Sequence, residues 1–238
     1  MRIFNRPFSE NKNDFEKMWD FVVNDYTDKT DQFIWTIGRL GDWKYGLFNE
    51  NKLFPSFMRK NAQLWLNNFD ELVGFVISED CNSGFTVFAK RGCEFLYPEM
   101  IRNPDLKGKA YLYCNVWRNL NEVSSFDMLK YEYNRESPCF NPKFDLSLVD
   151  ENGRHVSSCV AFIDHKNNYA EIEKVCTHNE NRNRGFAETI IRECFRRLYK
   201  DGIQYAYITG YSNAARNLYG KLGAVKSRNW FSYTLMAR

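Results

Sequence analysis

Apolar residues along the 238-residue chain change their period from one stretch to the next. Near the start, Phe15, Met18, Trp19, Val22 and Val23 recur at helical spacing behind a cap at Asn13 or Asp14, so the first sixty residues read as helical. The stretch "TIGRLGDWKYGLFNENKLFPSF", rich in glycine and aromatic residues, reads as a loop. Three strand candidates come next at 63–67, 72–78 and 85–90, parted by "NFDE" and "EDCNSG". The second half runs "FDLSLV", "DENG", "HVSSCVAFI", "DHKNN", "YAEIEKVCT", which predicts strand, turn, strand, turn, strand.

The two meanders match in outline. Asp80 falls on Asp164, Phe85 on Tyr169, Phe88 on Ile172 and Lys90 on Lys174, a shift of about 84 residues. A period that long implies two copies of a domain-sized unit; chance likeness between two meanders is the alternative. After the third strand the copies diverge. The second continues into a helix with Phe186, Ala187, Ile190, Ile191, Cys194, Phe195, Leu198 and Tyr199 on one stripe, stopped by Gly202 as its C′ residue. The first offers only "RGCEFLYPEMI", cut short by Pro98. A strand at 203–209, a short helix at 213–222 ended by Gly223, and a last strand at 230–236 complete the pattern. Alternating strands and helices predict an α/β fold with a mixed sheet. The expected division is a first domain at 1–118, a polar connection at 119–142, and a second domain at 143–238.

Composition narrows the class. With 44% hydrophobic and 26% charged residues the chain reads as an ordinary globular protein. A net charge of +3 gives no argument for nucleic acid or an acidic membrane surface. The seven cysteines form an odd set without a C-x-x-C pair, which fits reduced thiols rather than a disulfide framework or a zinc site. No apolar run is long enough to span a bilayer, and the opening residues lack a signal-peptide pattern, so a cytoplasmic location is expected.

The densest chemistry lies at "ENRNRGFAETIIRECFRRLYKDG", residues 180–202. A strand ending at Thr177 leads through a turn to a helix opening near Gly185. The first amides of a helix lack intrahelical partners, and its dipole makes that end positive. Gly185 keeps side-chain bulk away, while Arg182 and Arg184 add charge, a combination that suits a pyrophosphate.

"RNRGFA" (182–187) has the form Arg-x-x-Gly-x-Ala, and "SNAARNLYGKLGAV" comes after a further strand. This order resembles the GNAT N-acetyltransferase superfamily, whose later helix typically reads Asn-x-x-Ala-x-x-Leu-Tyr-x-x-x-Gly. Asn213, Leu218, Tyr219 and Gly223 occupy those places, while Arg216 stands where alanine is usual. The resemblance covers about residues 144–238; the first half matches only in outline, as a degenerate tandem copy. It implies the acyl-CoA N-acyltransferase fold, acetyl-CoA as acetyl donor, and a small-molecule or peptide amine as acceptor. It further implies that the backbone of Val175, Cys176 and Thr177 pairs with the pantetheine arm. The segment Arg182, Asn183, Arg184, Gly185, Phe186 and Ala187 wraps the pyrophosphate, and Asn213 contacts the cofactor. Tyr219 stands near the sulfur as the acid for the leaving thiolate, and the Cys176 amide is the expected donor to the carbonyl.

For the base, Glu171 and Glu173 lie two apart on one strand and share a face. Glu171 stands eleven residues ahead of Arg182, where some members carry a catalytic glutamate. Either carboxylate could instead be a solvated charge or bind a cationic substrate. The first copy has Val87 and Ala89 in the matching places and lacks the Arg-x-x-Gly-x-Ala segment, so it is expected to be structural or to shape the substrate site.

Other residues have plainer readings. Cys176 has no histidine tied to it by motif, and His155, His165 and His178 lack metal-ligand spacing. Trp35, Trp43, Tyr45 and Phe48 read as core rather than an acceptor groove. Two rival functions remain open on the sequence: an acyl-CoA-binding pseudoenzyme, and a nucleotide-phosphate binder using the same helix start.

Overall fold

The computed structural model describes residues 2–25, 37–46, 56–78, 85–102 and 132–225. The chain divides into two compact units, Met1–Ser137 and Pro138–Arg238.

The first unit carries β1 (Ile3–Pro7), α1 (Asp14–Asp25), α2 (Ile37–Tyr45), α3 (Ser56–Asn61), β2 (Ala62–Asn67), β3 (Leu72–Ile77), β4 (Thr86–Ala89) and α4 (Tyr97–Arg102). Its sheet is antiparallel in the order β1-β2-β3-β4. Two expectations are corrected. The chain opens on a strand rather than a helix; β1 is a short edge strand whose exposed and half-buried residues do not alternate, so it carries no period-2 signal. The stretch read as one loop contains α2, whose Gly38 and Gly41 look like breakers but are buried beside Ile37, Leu40 and Trp43. There packing overrides propensity. Trp43 is fully buried and donates from Nε1 to the Ser78 carbonyl at 3.0 Å, while the Tyr45 ring packs on Phe15 at 5.5 Å. Trp43 is core, as expected, while Tyr45 is half-buried; Trp35 and Phe48 lie outside the described residues.

The cap position of α1 falls on Asn13, one of the two residues expected. Asn13 adopts a left-handed φ of 54° and its carbonyl receives the Lys17 amide. The buried Asp14 carboxylate turns instead to Arg6, at 2.5 and 2.7 Å, and accepts the Ser9 amide at 2.7 Å. Pro98 does not cut the next helix short. It is the second residue of α4, in the first turn, where proline's missing N–H is harmless.

The second unit carries β5 (Phe140–Val149), β6 (His155–Asp164), β7 (Tyr169–Thr177), α5 (Phe186–Lys200), β8 (Tyr205–Ile208) and α6 (Asn213–Lys221). The sheet order is β5-β6-β7-β8, antiparallel except for the parallel β7–β8 pair. Asp150 and Asp164 close the two hairpin turns by accepting amides two to four residues ahead, the Asx chemistry that "DENG" and "DHKNN" suggest.

Helix α5 lies on β5, β6 and β7, burying Ile190, Ile191, Cys194 and Leu198 against Phe144, Cys159, Ala161, Ala170 and Ile172. Tyr199, assigned to that stripe from the sequence, is 82% exposed, because it stands one position beyond Leu198 and rotates off the face. Gly202 does end the helix, at φ 83°: its amide bonds the Tyr199 carbonyl, and that of Ile203 bonds Leu198, whose side chain shares the apolar cluster with Ile203.

Each unit therefore holds a three-stranded antiparallel meander, β2–β3–β4 and β5–β6–β7, consistent with two tandem copies. The helix after the meander differs, with 6 residues in the first unit and 15 in the second. Of the connection expected at 119–142, residues 119–131 lie outside the described set, and 140–142 already belong to β5. Asp80 and the last strand expected at 230–236 also lie outside it.

Candidate active site

The site is built where β7 leaves its neighbours. On one edge, Glu173 pairs with Val160 and Cys176 with Ser158, so Lys174 and Val175 together face Cys159 alone. Lys174 absorbs this bulge with φ at 52°. A bulge bends its strand and increases the local twist. On the other edge, β8 runs beside β7 only at residues 169–172, opposite 205–208. Among the described residues, 173–177 have no strand partner on that side. The two parallel strands part, leaving a wedge with backbone along one wall.

The register fixes which amides enter it. His178 donates its amide to the Val156 carbonyl, so Cys176, two residues earlier, also turns its amide toward β6. Val175 and Thr177 alternate with it and face the wedge. On this alternation the amides beside Cys176, rather than its own, are placed toward the wedge. The Cys176 thiol is exposed, its Sγ 2.9 Å from Ser158 Oγ. The histidines engage elsewhere, His155 Nδ1 with Ser147 at 2.6 Å and His178 Nδ1 with Glu180 at 4.0 Å.

Beyond β7, Asn183 and Gly185 both take left-handed backbone, with φ of 59° and 81°. Gly185 is the N-cap of α5 and offers no side chain to the first amides; a Cβ there would meet nothing within 4 Å. Its carbonyl receives the Thr189 amide at 3.0 Å and the Thr189 hydroxyl at 3.1 Å. Arg182 reaches back from Nε to the Thr177 carbonyl at 3.4 Å. Arg184 donates to Asn181 at 2.9 Å and lies 5.1 Å from the Phe186 ring. Each guanidinium has five N–H donors and uses one in these contacts, so both are held on the loop with donors to spare. Phe186 and Ala187 are half-buried in the first turn.

Glu171 and Glu173 share the sheet face opposite α5, the bulge falling just after them. Glu171 is buried and Glu173 half-buried. Tyr219, in the second half of α6, packs half-buried against the apolar cluster beside Leu218 and Leu222. Burial, then the charge of Glu173, push its phenol above the ordinary tyrosine value, so the hydroxyl keeps its proton throughout the neutral range. The structure thus brings Glu173 and Tyr219 into electrical contact. Asn213 opens α6 and receives a hydrogen bond from Arg216 at its Oδ1.

Sequence reasoning missed three features. Ser212 caps α6, accepting the Ala215 amide at 3.1 Å, and a serine before "NAAR" is a signal that could have found it. Ser158 beside Cys176 depends on register alone. The bulge falls on Lys174, a residue type with no preference for positive φ, so nothing in the sequence marked it.

Among the described residues no group of His, Cys, Asp and Glu could hold a metal ion, and no helix is long and apolar enough to cross a membrane. Comparison with curated proteins finds no match. Three solved structures illustrate the likeness. The ribosomal-protein-S18-alanine N-acetyltransferase of Escherichia coli is 15% identical over 40% of this chain and 59% of its own, with a TM-score of 0.34. The glucosamine-6-phosphate N-acetyltransferase of Arabidopsis thaliana is 13% identical over 50% and 83%, at 0.38. An aminoglycoside acetyltransferase from an uncultured soil sample, in complex with sisomicin, is 9% identical over 46% and 74%, at 0.37. The chain thus spans less than two thirds of the length of the first of these. The family model described as FR47-like protein matches residues 151–231, from the β5–β6 turn to beyond α6. That stretch holds the bulged strand, the wedge, the arginine loop and the tyrosine helix in one run, and over it the second unit is similar to the FR47-like family.

Proposed function

We propose that the second unit transfers the acetyl group of acetyl-CoA to a primary amine by direct attack in a ternary complex. The observation that supports this reading best is the parting of β7 from β8, followed by the bare start of α5, with Tyr219 packed on the same apolar cluster as Val175 and Ile208. An extended pantetheine arm fits an open sheet edge, where the amides of Val175 and Thr177 are placed to bond it as a further strand would. The first-turn amides of α5 carry no side-chain cap, and the space above Gly185 is open, so a pyrophosphate can approach the backbone. Arg182 and Arg184 supply charge beside it.

Acetyl-CoA supplies a thioester-activated acyl carbon. The residues of the chain do the rest. Glu173 or Glu171, directly or through water, takes the proton that the acceptor ammonium must lose to expose its lone pair. The wedge-facing amide of Val175 receives the negative charge that develops on the carbonyl oxygen as the C–N bond forms. Tyr219 gives its proton to the thiolate as the C–S bond breaks, leaving CoA-SH and the amide product. The acceptor is a small-molecule or peptide amine, and the setting a cytoplasmic one.

The test is a thermal-shift titration with CoA and acetyl-CoA, then an amine panel scored by free-thiol release. Stabilisation by CoA together with amine-dependent thiol release supports the reading. Stabilisation by ATP or NAD but not by CoA replaces it with a nucleotide-phosphate binder. CoA binding without turnover on any amine reduces the unit to a pseudoenzyme.

A further inference from the structure

Gly210 lies in the turn between β8 and α6, and its φ is outside the left-handed region, so any residue could adopt its backbone. The constraint is spatial. A Cβ at this position would stand 3.0 Å from Arg216 Cγ and 3.3 Å from both Cδ2 and Cε2 of Tyr219. Carbon pairs rest at about 3.5–4.0 Å, so the added atom intrudes by a few tenths of an ångström. Arg216 and Tyr219 are three residues apart on α6 and share the face that lies on this turn. The two neighbours respond differently. The Arg216 stem is flexible and can move aside. The Tyr219 ring is backed by the apolar cluster with Leu218 and Leu222, so it can yield only by tilting, and the tilt carries the hydroxyl with it.

We propose that Gly210 is a positioning residue for acyl transfer: the absence of a side chain there seats the Tyr219 ring and the Arg216 stem against the β8–α6 turn. This rests on the acyl-transfer function proposed for the second unit. Arg216 extends the seat. A guanidinium only donates, so its bond occupies Asn213 Oδ1 and leaves the Asn213 NH2 as the group the helix start can offer a ligand. Gly210 therefore gauges the height of the phenol.

The experiment is a double-mutant cycle with two readouts on the full chain. In thiol-release assays, Gly210→Ala is expected to lower kcat about tenfold, with KM for acetyl-CoA changed less than about twofold, because small misplacements of a reacting group are costly. In a Tyr219→Phe background the ring is retained but the hydroxyl is gone, and the same substitution is expected to change kcat less than about twofold. By thermal melting, Gly210→Ala is expected to lower Tm by about 2–4 °C in the wild-type background and by none in Tyr219→Ala, where the obstructing ring is absent. No coupling in Tm overturns the contact. Thermal coupling with an equal loss of kcat in both backgrounds overturns the positioning role. Thermal coupling in a wild-type chain that acetylates nothing overturns the acyl-transfer reading, and the positioning role with it, while the packing contact stands.

Discussion

Two glycines bracket α5 and allow strain to be separated from binding. Gly185 before the helix has φ 81° and Gly202 after it has φ 83°, and in both cases a Cβ would meet nothing within 4 Å. Alanine in left-handed backbone costs about 1–2 kcal/mol. Gly185→Ala and Gly202→Ala should therefore destabilise alike, lowering Tm by about 2–4 °C for each kcal/mol in a chain of this size. Their effects on CoA should differ. Only at Gly185 would the new methyl occupy the space through which, on the proposed function, a pyrophosphate meets the first amides of the helix. An affinity loss of tenfold corresponds to about 1.4 kcal/mol. At a CoA concentration one hundred times the wild-type Kd, binding stabilises the fold by about 2.7 kcal/mol. Tenfold weaker binding leaves about 1.4 kcal/mol, roughly half the thermal shift. The assay is a pair of melting curves for each protein, with and without CoA. Equal ligand-induced shifts in the two variants would refute the reasoning, since they would show that Gly185 matters only as a backbone hinge.

The same geometry sets other outcomes. Tyr219→Phe should lower kcat about a hundredfold while leaving KM for acetyl-CoA within about twofold, measured by thiol release, as removal of a proton donor predicts. The Tyr219 phenol is raised above its ordinary value of 10.0 by burial and by Glu173, so activity that needs its proton persists below pH 10 and is lost only as pH climbs through the raised value. Glu173→Gln removes the carboxylate's share and should move that alkaline limb to lower pH; an upward shift or none would contradict the assignment. Asp14→Ala leaves Arg6 without its buried partner and should cost about 3–5 kcal/mol in urea denaturation, with Arg6→Met in the same chain recovering much of the loss.

The second unit was the more legible in sequence, and the reasons are physical. Its turns are closed by Asp150 and Asp164, its long helix carries a 3.6-residue stripe, and Gly202 and Gly223 both take the positive φ that their positions suggest. The first unit was harder outside its meander, whose strands were placed correctly at 63–67, 72–78 and 85–90: β1 is a five-residue edge, and α2 conceals two glycines in its buried face. At the site, the loop chemistry of Arg182 to Gly185 could be read directly. The bulge at Lys174 could not, because register is a property of paired strands, and the register is what places the amides of 175–177 on one edge of β7 or the other. The same limit hid Gly210, whose importance lies in the atoms that stand 3.0–3.3 Å from a side chain it does not have.

Amide hydrogen exchange with and without CoA tests the central claim most directly. If the wedge holds the pantetheine arm and the α5 start holds the diphosphate, CoA should slow exchange at Val175, Thr177 and the amides of residues 186–188, while Cys176, whose register turns its amide toward β6, should change little. Bound CoA that leaves those amides exchanging at their free rate would contradict it.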